Sequence, residues 1–407
     1  MWSVHSIREL CAIHLDLLVH ERYYHGSVYI DSSNASSDLM HEAYLGREQT
    51  YLKHFFLEHY LERVGYVIGM TYGSLVYVDG FSGPWRSAGE NFEDTSFMIA
   101  IRRLRKVREG IENAGRKVDI RCIFVEKDPK SFASLKQAVS GVTDLEVKPI
   151  PGEFENVIPE ILDFIGKRFS LTFIDPTGWT GFALRRIAPI LRHRPGEVII
   201  NYMTDFLNRF GDQPEHAQSF DEMMGGTGYA GLDEAGKIAF YSERIRQVGA
   251  FEHVTSTRIK YPYADRSYFH LIYATRHLKG LEEFRRVEEK EIEEQERIIL
   301  EATEFRRLVR GGQRSLFSPE ELAGRRSFES ELIEQKAKAT NRLNRLLDER
   351  RRVSYEDVLR SLLELPLVFE SIIQEIIRNE KERGRIRIEG QTARERKVKK
   401  GHYLVRI

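Results

Sequence analysis

Apolar positions recur along this chain with two different periods. In "TYLKHFFLEHYLERVGY", Leu52, Phe56 and Tyr60 fall at helical spacing with Phe55 and Leu61 beside them, and they predict an amphipathic helix. An unbroken apolar run, Leu75 to Val78, follows and predicts a buried strand. The alternation then repeats. "TSFMIAIRRLRKVREGIENAG" reads as a charged helix, "IRCIFVEKD" as a strand, "KSFASLKQAVSG" as a helix, and "LEVKPIPGEF" as a short strand and loop. "VIPEILDFIGK" is a helix and "LTFIDPTGW" a strand, and "LRRIAPILRHRPG" leads into "EVIINYMTDFLNRF", read as a further strand. Strands alternating with helices predict an α/β fold with a parallel, doubly wound, Rossmann-like sheet. "HVTSTRIKYPY" and "SYFHLIYATRH" have no helix between them and predict an antiparallel pair at the sheet edge.

Four of these strands end in acidic residues, at the carboxyl ends where an open parallel sheet binds ligands. The first runs into Asp79, Gly80, Phe81, Ser82 and Gly83. Glycines there let a backbone approach a ligand, and Asp79 can accept hydrogen bonds from an amine or cap the helix that follows. The second ends in Glu126 and Asp128. Glu126 can accept both hydroxyls of a ribose, or pair with Lys127 or Lys130. The third gives Gly152, Glu153 and Phe154, an acid beside an aromatic that could flank a purine, although a loop acid facing solvent has the same sequence. The fourth gives Asp175, Pro176, Thr177, Gly178 and Trp179. Lys53 and His54, in the first helix, face either a cofactor carboxylate or water.

A dinucleotide pyrophosphate needs G-x-G-x-x-G at a helix N-terminus, and Gly80 and Gly83 followed by Pro84 and Trp85 do not supply it. An acid-rich rim suits a cation. S-adenosylmethionine carries an ammonium and a sulfonium and no phosphate, so it is the expected cofactor. No H-E-x-x-H spacing marks a metal site, no G-x-x-x-x-G-K-[ST] marks a phosphate cradle, and the glycines of "MMGGTGYAG" read as a loop.

The order "KHFFLEHYL", "YVDGFSGPW", "FVEKDP", "PGEF", "FIDPTGW" and "SYFHLIYAT" resembles the three-Cys-motif partner (TcmP) family, over roughly residues 43 to 280. The resemblance implies a methyltransferase-like core, S-adenosylmethionine as cofactor, and a three-Cys-motif protein as partner. This chain departs from the family at Trp85, where a glycine is usual. Asp175 and Pro176 also look like the D-P-P-[YFW] signature of methyltransferases acting on exocyclic amines of bases. In that arrangement the acid accepts the amine hydrogens and the aromatic stacks on the flipped base. Thr177 replaces the second proline, and Trp179 falls one residue late. The expected catalytic residues are therefore Asp175, Pro176 and Trp179. The expected cofactor-binding residues are Asp79, Gly80, Gly83, Glu126, Gly152, Glu153 and Phe154. The alternative is a non-catalytic module that serves the partner.

Composition narrows the rest. Lys and Arg together number 62, as do Asp and Glu, in 407 residues, so any nucleic-acid surface must be a local patch. Cys11 and Cys122 are too few for a disulfide framework or a zinc site. No run approaches the about eighteen apolar residues of a membrane span, and no signal-peptide pattern opens the chain; a cytoplasmic protein is expected.

The organisation expected is an irregular extension over 1–40, a methyltransferase-like α/β domain over 41–280, charged connecting helices over 281–350, and a winged-helix-like domain over 351–407. The helix beginning "LEEFRRVEEKEIEEQE" is dense in charge and reads as solvated. Ser354 and Asp357 mark a helix start, Val368, Ile372, Ile373, Ile376 and Ile377 form an apolar stripe, and Gly384 ends that helix. "RIRIEG" and "HYLVRI" predict two strands around a basic turn; the turn and its flanks hold Arg385, Arg387, Arg394, Arg396, Lys397, Lys399, Lys400 and Arg406 against Glu389 and Glu395, and such a wing could lie on a phosphate backbone or meet a partner protein. Glu370, Glu375, Glu380 and Glu382 on the preceding helix count against its entering a groove.

Overall fold

The computed structural model describes residues 47–83, 92, 94–210, 213–261, 264–309, 328–392 and 394–407. The expectations for the first forty residues and for Trp85 lie outside these. The chain begins with α1 (Glu48–Tyr72) and β1 (Ser74–Asp79). There follow α2 (Ser96–Asn113), β2 (Asp119–Glu126), α3 (Pro129–Val139), β3 (Glu146–Pro151), α4 (Phe154–Ile165) and β4 (Phe169–Ile174). Next are α5 (Leu184–Arg192), β5 (Gly196–Tyr202), α6 (Thr204–Phe210), α7 (Ala217–Met224) and α8 (Glu234–Gly249), then β6 (His253–Tyr261) and β7 (Ala264–Thr275).

These strands form one seven-stranded sheet in the order β3-β2-β1-β4-β5-β7-β6. β1 pairs in parallel with β2 and β4, while β7 runs antiparallel to β5 and β6. The fold is a doubly wound, Rossmann-like α/β sheet with the expected antiparallel edge pair. The strand pleat sorts the core into two layers. Leu75 and Tyr77 face α1 and α2 with Phe56, Tyr60 and Leu104, while Val76 and Val78 face the opposite layer with Ile161, Ile187 and Tyr241.

Two local readings change. "EVIINYMTDFLNRF" is a strand only to Tyr202; α6 begins at Thr204, whose hydroxyl is tied to His270 Nδ1 at 2.8 Å. α8, capped by Asp233 accepting from the Gly236 amide, was not distinguished in the sequence.

The larger change concerns the charged helix, α9 (Leu278–Val309). It is not a solvated connector. Leu281, Phe284, Val287, Ile292 and Ile298 are buried, and so are Glu283, Arg285, Glu288, Glu291 and Gln295. Phe284 stacks on Tyr273 of β7 with centroids 4.6 Å apart. The acids are buried because cations reach them: Arg63 arrives from α1 to pair with Glu283, which Lys279 also meets from one turn earlier in α9 itself. A charge pattern read along one helix cannot show that.

Beyond it lie α10 (Glu329–Arg350), β8 (Arg352–Ser354), α11 (Tyr355–Leu362), α12 (Glu370–Glu382), β9 (Ile386–Glu389) and β10 (Tyr403–Arg406). The Ser354 hydroxyl accepts from the Asp357 amide at 3.1 Å, so α11 is capped where its sequence predicts. Val368, Ile373, Ile376 and Ile377 pack with Leu343, Leu359 and Leu404 in a separate apolar core. The expected hairpin gains a third strand, giving the antiparallel order β8-β10-β9. No described helix is long and apolar enough to cross a membrane.

Candidate functional site

β1, β2 and β4 are neighbours, so the sheet brings Asp79, Glu126 and Asp175 to one rim at adjacent carboxyl ends. The loop after β1 folds across this rim. Its Gly80 amide donates to the Phe173 carbonyl at 2.9 Å, and its Ser82 amide donates to the Val125 carbonyl at 2.8 Å. A β-carbon on Gly80 would lie 2.8 Å from the Phe154 ring, so glycine is needed there for packing. Gly83 is buried next to Ser82.

Asp79 is fully buried. Its Oδ1 accepts from the Phe81 amide at 3.0 Å and its Oδ2 from the Ser96 hydroxyl at 2.8 Å, so it holds the loop to the start of α2. Burial pushes its carboxyl up to about 6 against those hydrogen bonds, and the charge of Asp175 adds to the shift. Glu126 is buried as well, and its Oε1 accepts from the Asp128 amide at 2.6 Å. Burial raises its pKa, opposed by that amide. Asp128 is turned to α3, where it accepts from the Ser131 amide at 2.8 Å.

Asp175 is held from both sides. Lys53 of α1 donates to its Oδ2 at 2.5 Å, and Asn201, the last polar residue of β5, donates to its Oδ1 at 2.6 Å. His54, next to Lys53, is buried and its pKa is lowered well below the usual imidazole value by burial, with the charges of Lys53 and Arg47 adding. Lys53 therefore faces the rim through an acid of the protein itself.

Three expected residues lie elsewhere. Phe154 is buried under the loop, its centroid 5.8 Å from that of Phe81, and is not available to flank a purine. Glu153 is exposed and accepts from Asn156 at 2.9 Å, the local bond of a helix start. Gly152, just before them, takes φ 137°, which favours glycine. Trp179 turns away from Asp175: it stacks on Phe220 at 4.9 Å, packs against Phe210 at 5.3 Å, and donates to the Ser219 hydroxyl at 3.2 Å. Pro176 is buried at the base of this loop.

Sequence reasoning missed Ser96 and Asn201. Asn201 could have been found as a polar residue closing the apolar run "EVIIN" at a strand end. Two buried polar atoms near the rim, the Tyr77 hydroxyl and Asn201 Oδ1, have no hydrogen-bond partner among the described residues. Buried orphans of this kind call for a ligand or an ordered water. A desolvated acid with a raised pKa beside them is an environment that a cationic ligand relieves, so the residues present fit S-adenosylmethionine by charge and by unfilled hydrogen bonds.

No family model matches the chain, and no curated protein sequence is similar to it. Among solved structures, a Legionella pneumophila protein of family DUF519 is 11% identical, with 55% of this chain and 85% of that chain covered and a TM-score of 0.32. A DUF574 family protein from Streptomyces avermitilis is 9% identical, covering 61% of this chain and 93% of that one, with a TM-score of 0.30. A loganic acid methyltransferase solved with SAH is 9% identical, covering 57% and 80%, with a TM-score of 0.26. Strand order and register define the fold of this chain independently of these likenesses.

Proposed function

We propose that this chain binds S-adenosylmethionine across the carboxyl ends of β1 and β2 and transfers its methyl group to an acceptor held at Asp175. The observation that carries this reading is the convergence of Asp79, Glu126 and Asp175 on one rim of a sheet with this strand order. The Glu126 carboxylate, held through Oε1 by the Asp128 amide, has acceptor capacity left for a ribose hydroxyl, while Asp79 supplies negative charge beneath a bound ammonium. When bound, the cofactor supplies an electrophilic methyl on a cationic sulfur.

The chain's own task is to position the acceptor and exclude water. Asp175 has given one lone pair of each oxygen to Lys53 and Asn201, and each oxygen keeps another for an acceptor N–H. An amine, and in particular an exocyclic amine of a nucleic-acid base, is the acceptor class this suits. Trp179 serves there as a packing residue that anchors the loop after β4. The second reading, a cofactor-binding module without transfer, draws on the closed Lys53, Asp175 and Asn201 cluster. A three-Cys-motif protein as its partner rests on the resemblance of the motifs alone.

Calorimetric titration with S-adenosylmethionine and S-adenosylhomocysteine tests the cofactor site. A charge-assisted hydrogen bond contributes ~1.5–3 kcal/mol, so Glu126→Ala should weaken binding roughly tenfold or more. Undiminished affinity in a folded Glu126→Ala protein removes Glu126 from the site. Tight binding with no label transferred from methyl-labelled cofactor to amine-bearing nucleic acid favours the second reading.

A further inference from the structure

The acids that count against a nucleic-acid surface on α12 are mostly neutralised by the protein itself. Glu370 pairs with Arg286 of α9 at 3.2 Å and Glu375 with Lys336 of α10 at 2.5 Å. Glu380 is buried, with Arg383 at 3.0 Å and Arg385 at 3.4 Å. Only Glu382 of the four is exposed without an ion-pair partner among the described residues.

The cations of the same region divide differently from what their sequence implies. Lys399 is tied to Glu395, and Lys400 to Glu282 of α9 at 2.7 Å. Arg387 and Arg352 share Glu389 at 3.0 and 2.9 Å, and Arg406 pairs with Asp348 at 2.9 Å. By contrast Arg394, Arg396 and Lys397 in the hairpin loop, and Arg378 and Lys381 on α12, are exposed and have no carboxylate partner among the described residues.

These five lie together. Gln374 of α12 exchanges hydrogen bonds with the Val398 backbone at 2.6 and 3.0 Å, and Lys381 donates to Gln391 at 3.3 Å. Gln374, Arg378 and Lys381 stand at i, i+4 and i+7, one face of a helix. The loop therefore lies along that face, and its free cations adjoin Arg378 and Lys381.

We propose that this face, formed by Arg378, Lys381, Arg394, Arg396 and Lys397, binds the phosphate backbone of duplex DNA. Cations without a carboxylate partner are the groups that release counterions from phosphates, and the one unpaired acid beside them among the described residues is Glu382. The face has no exposed aromatic on which an unstacked base could lie, which argues against single strands. The hairpin loop lies along the same face of α12, so the cations sit side by side on one packed surface that can meet successive phosphates along the outside of a duplex. With backbone contacts alone, binding is independent of sequence. Duplex binding by this face does not require methyl transfer at Asp175 and is measured without cofactor.

The test is binding of the full chain to a mixed-sequence duplex of about 25 base pairs, titrated between about 50 and 200 mM salt. Arg394, Arg396 and Lys397 replaced together by Gln should weaken binding and flatten the salt slope by up to about 3, near 0.9 per phosphate lost. Replacing Lys399 and Lys400 by Gln should leave the slope unchanged, because both are already paired. Unchanged thermal unfolding by circular dichroism in each variant shows that the fold is intact. No salt-dependent binding by the wild-type protein, an unchanged slope in the triple variant, or preference for RNA duplex or single strands overturns the proposal.

Discussion

Lys53 Nζ sits 2.5 Å from Asp175 Oδ2 although 122 residues separate them. The pair joins the first helix to the end of β4 and leaves the acid only partly exposed. Replacing Lys53 by Met should leave Asp175 with Asn201 as its remaining partner, beside a second buried acid, Asp79. A hydrogen bond to a charged group contributes ~1.5–3 kcal/mol, so we expect a loss of stability of about that size in urea unfolding. Methyl transfer should fall more than cofactor affinity, since the pair sits on the acceptor side. Equal losses in both would place Lys53 at the cofactor instead.

Asp79 should make stability and cofactor binding respond to pH in opposite directions. Its folded pKa, about 6, lies above the unfolded value, 3.8. The stability it contributes is therefore fully present below the unfolded value and is lost as pH rises through about 6. Cofactor binding needs the ionised form and should weaken below that pH. Asp79→Asn should raise the melting temperature at neutral pH while weakening S-adenosylmethionine binding at least tenfold. A variant that is less stable at neutral pH would show that the ionised carboxylate is needed by the loop.

Arg285 is a buried junction. It pairs with buried Glu288, contacts the Thr255 hydroxyl of β6, and donates to the Leu363 carbonyl at 2.8 Å. Removing one partner of a buried ion pair costs about 3–5 kcal/mol, because the other charge stays buried. Arg285→Ala should lose that much in a denaturant titration, and Arg285→Met combined with Glu288→Leu should recover a large part. If the double variant is no better than the single one, the bonds to Thr255 and Leu363 outweigh the ion pair.

The sequence by itself determined the seven strands of the large sheet, most of the helices between them, the antiparallel pair, and the acids near the strand ends, because each is a local matter of side-chain period and turn chemistry. It also located the cap of α11 at Ser354 and the end of α12 at Gly384. Tertiary structure decided which charges are free. Asp175 is engaged because Lys53 arrives from α1 and Asn201 from β5, and nothing near Asp175 in the chain announces either. Trp179 and Phe154 carry suitable chemistry in suitable loops, yet each buries against aromatic neighbours brought by other elements. α9 reads as solvated because its charges are dense, and it is buried because Arg63 of α1 neutralises Glu283 and because Phe284 finds Tyr273. Period and turn residues act over a few positions and are legible in order. Ion pairing and burial depend on distance in space, which only the folded chain sets.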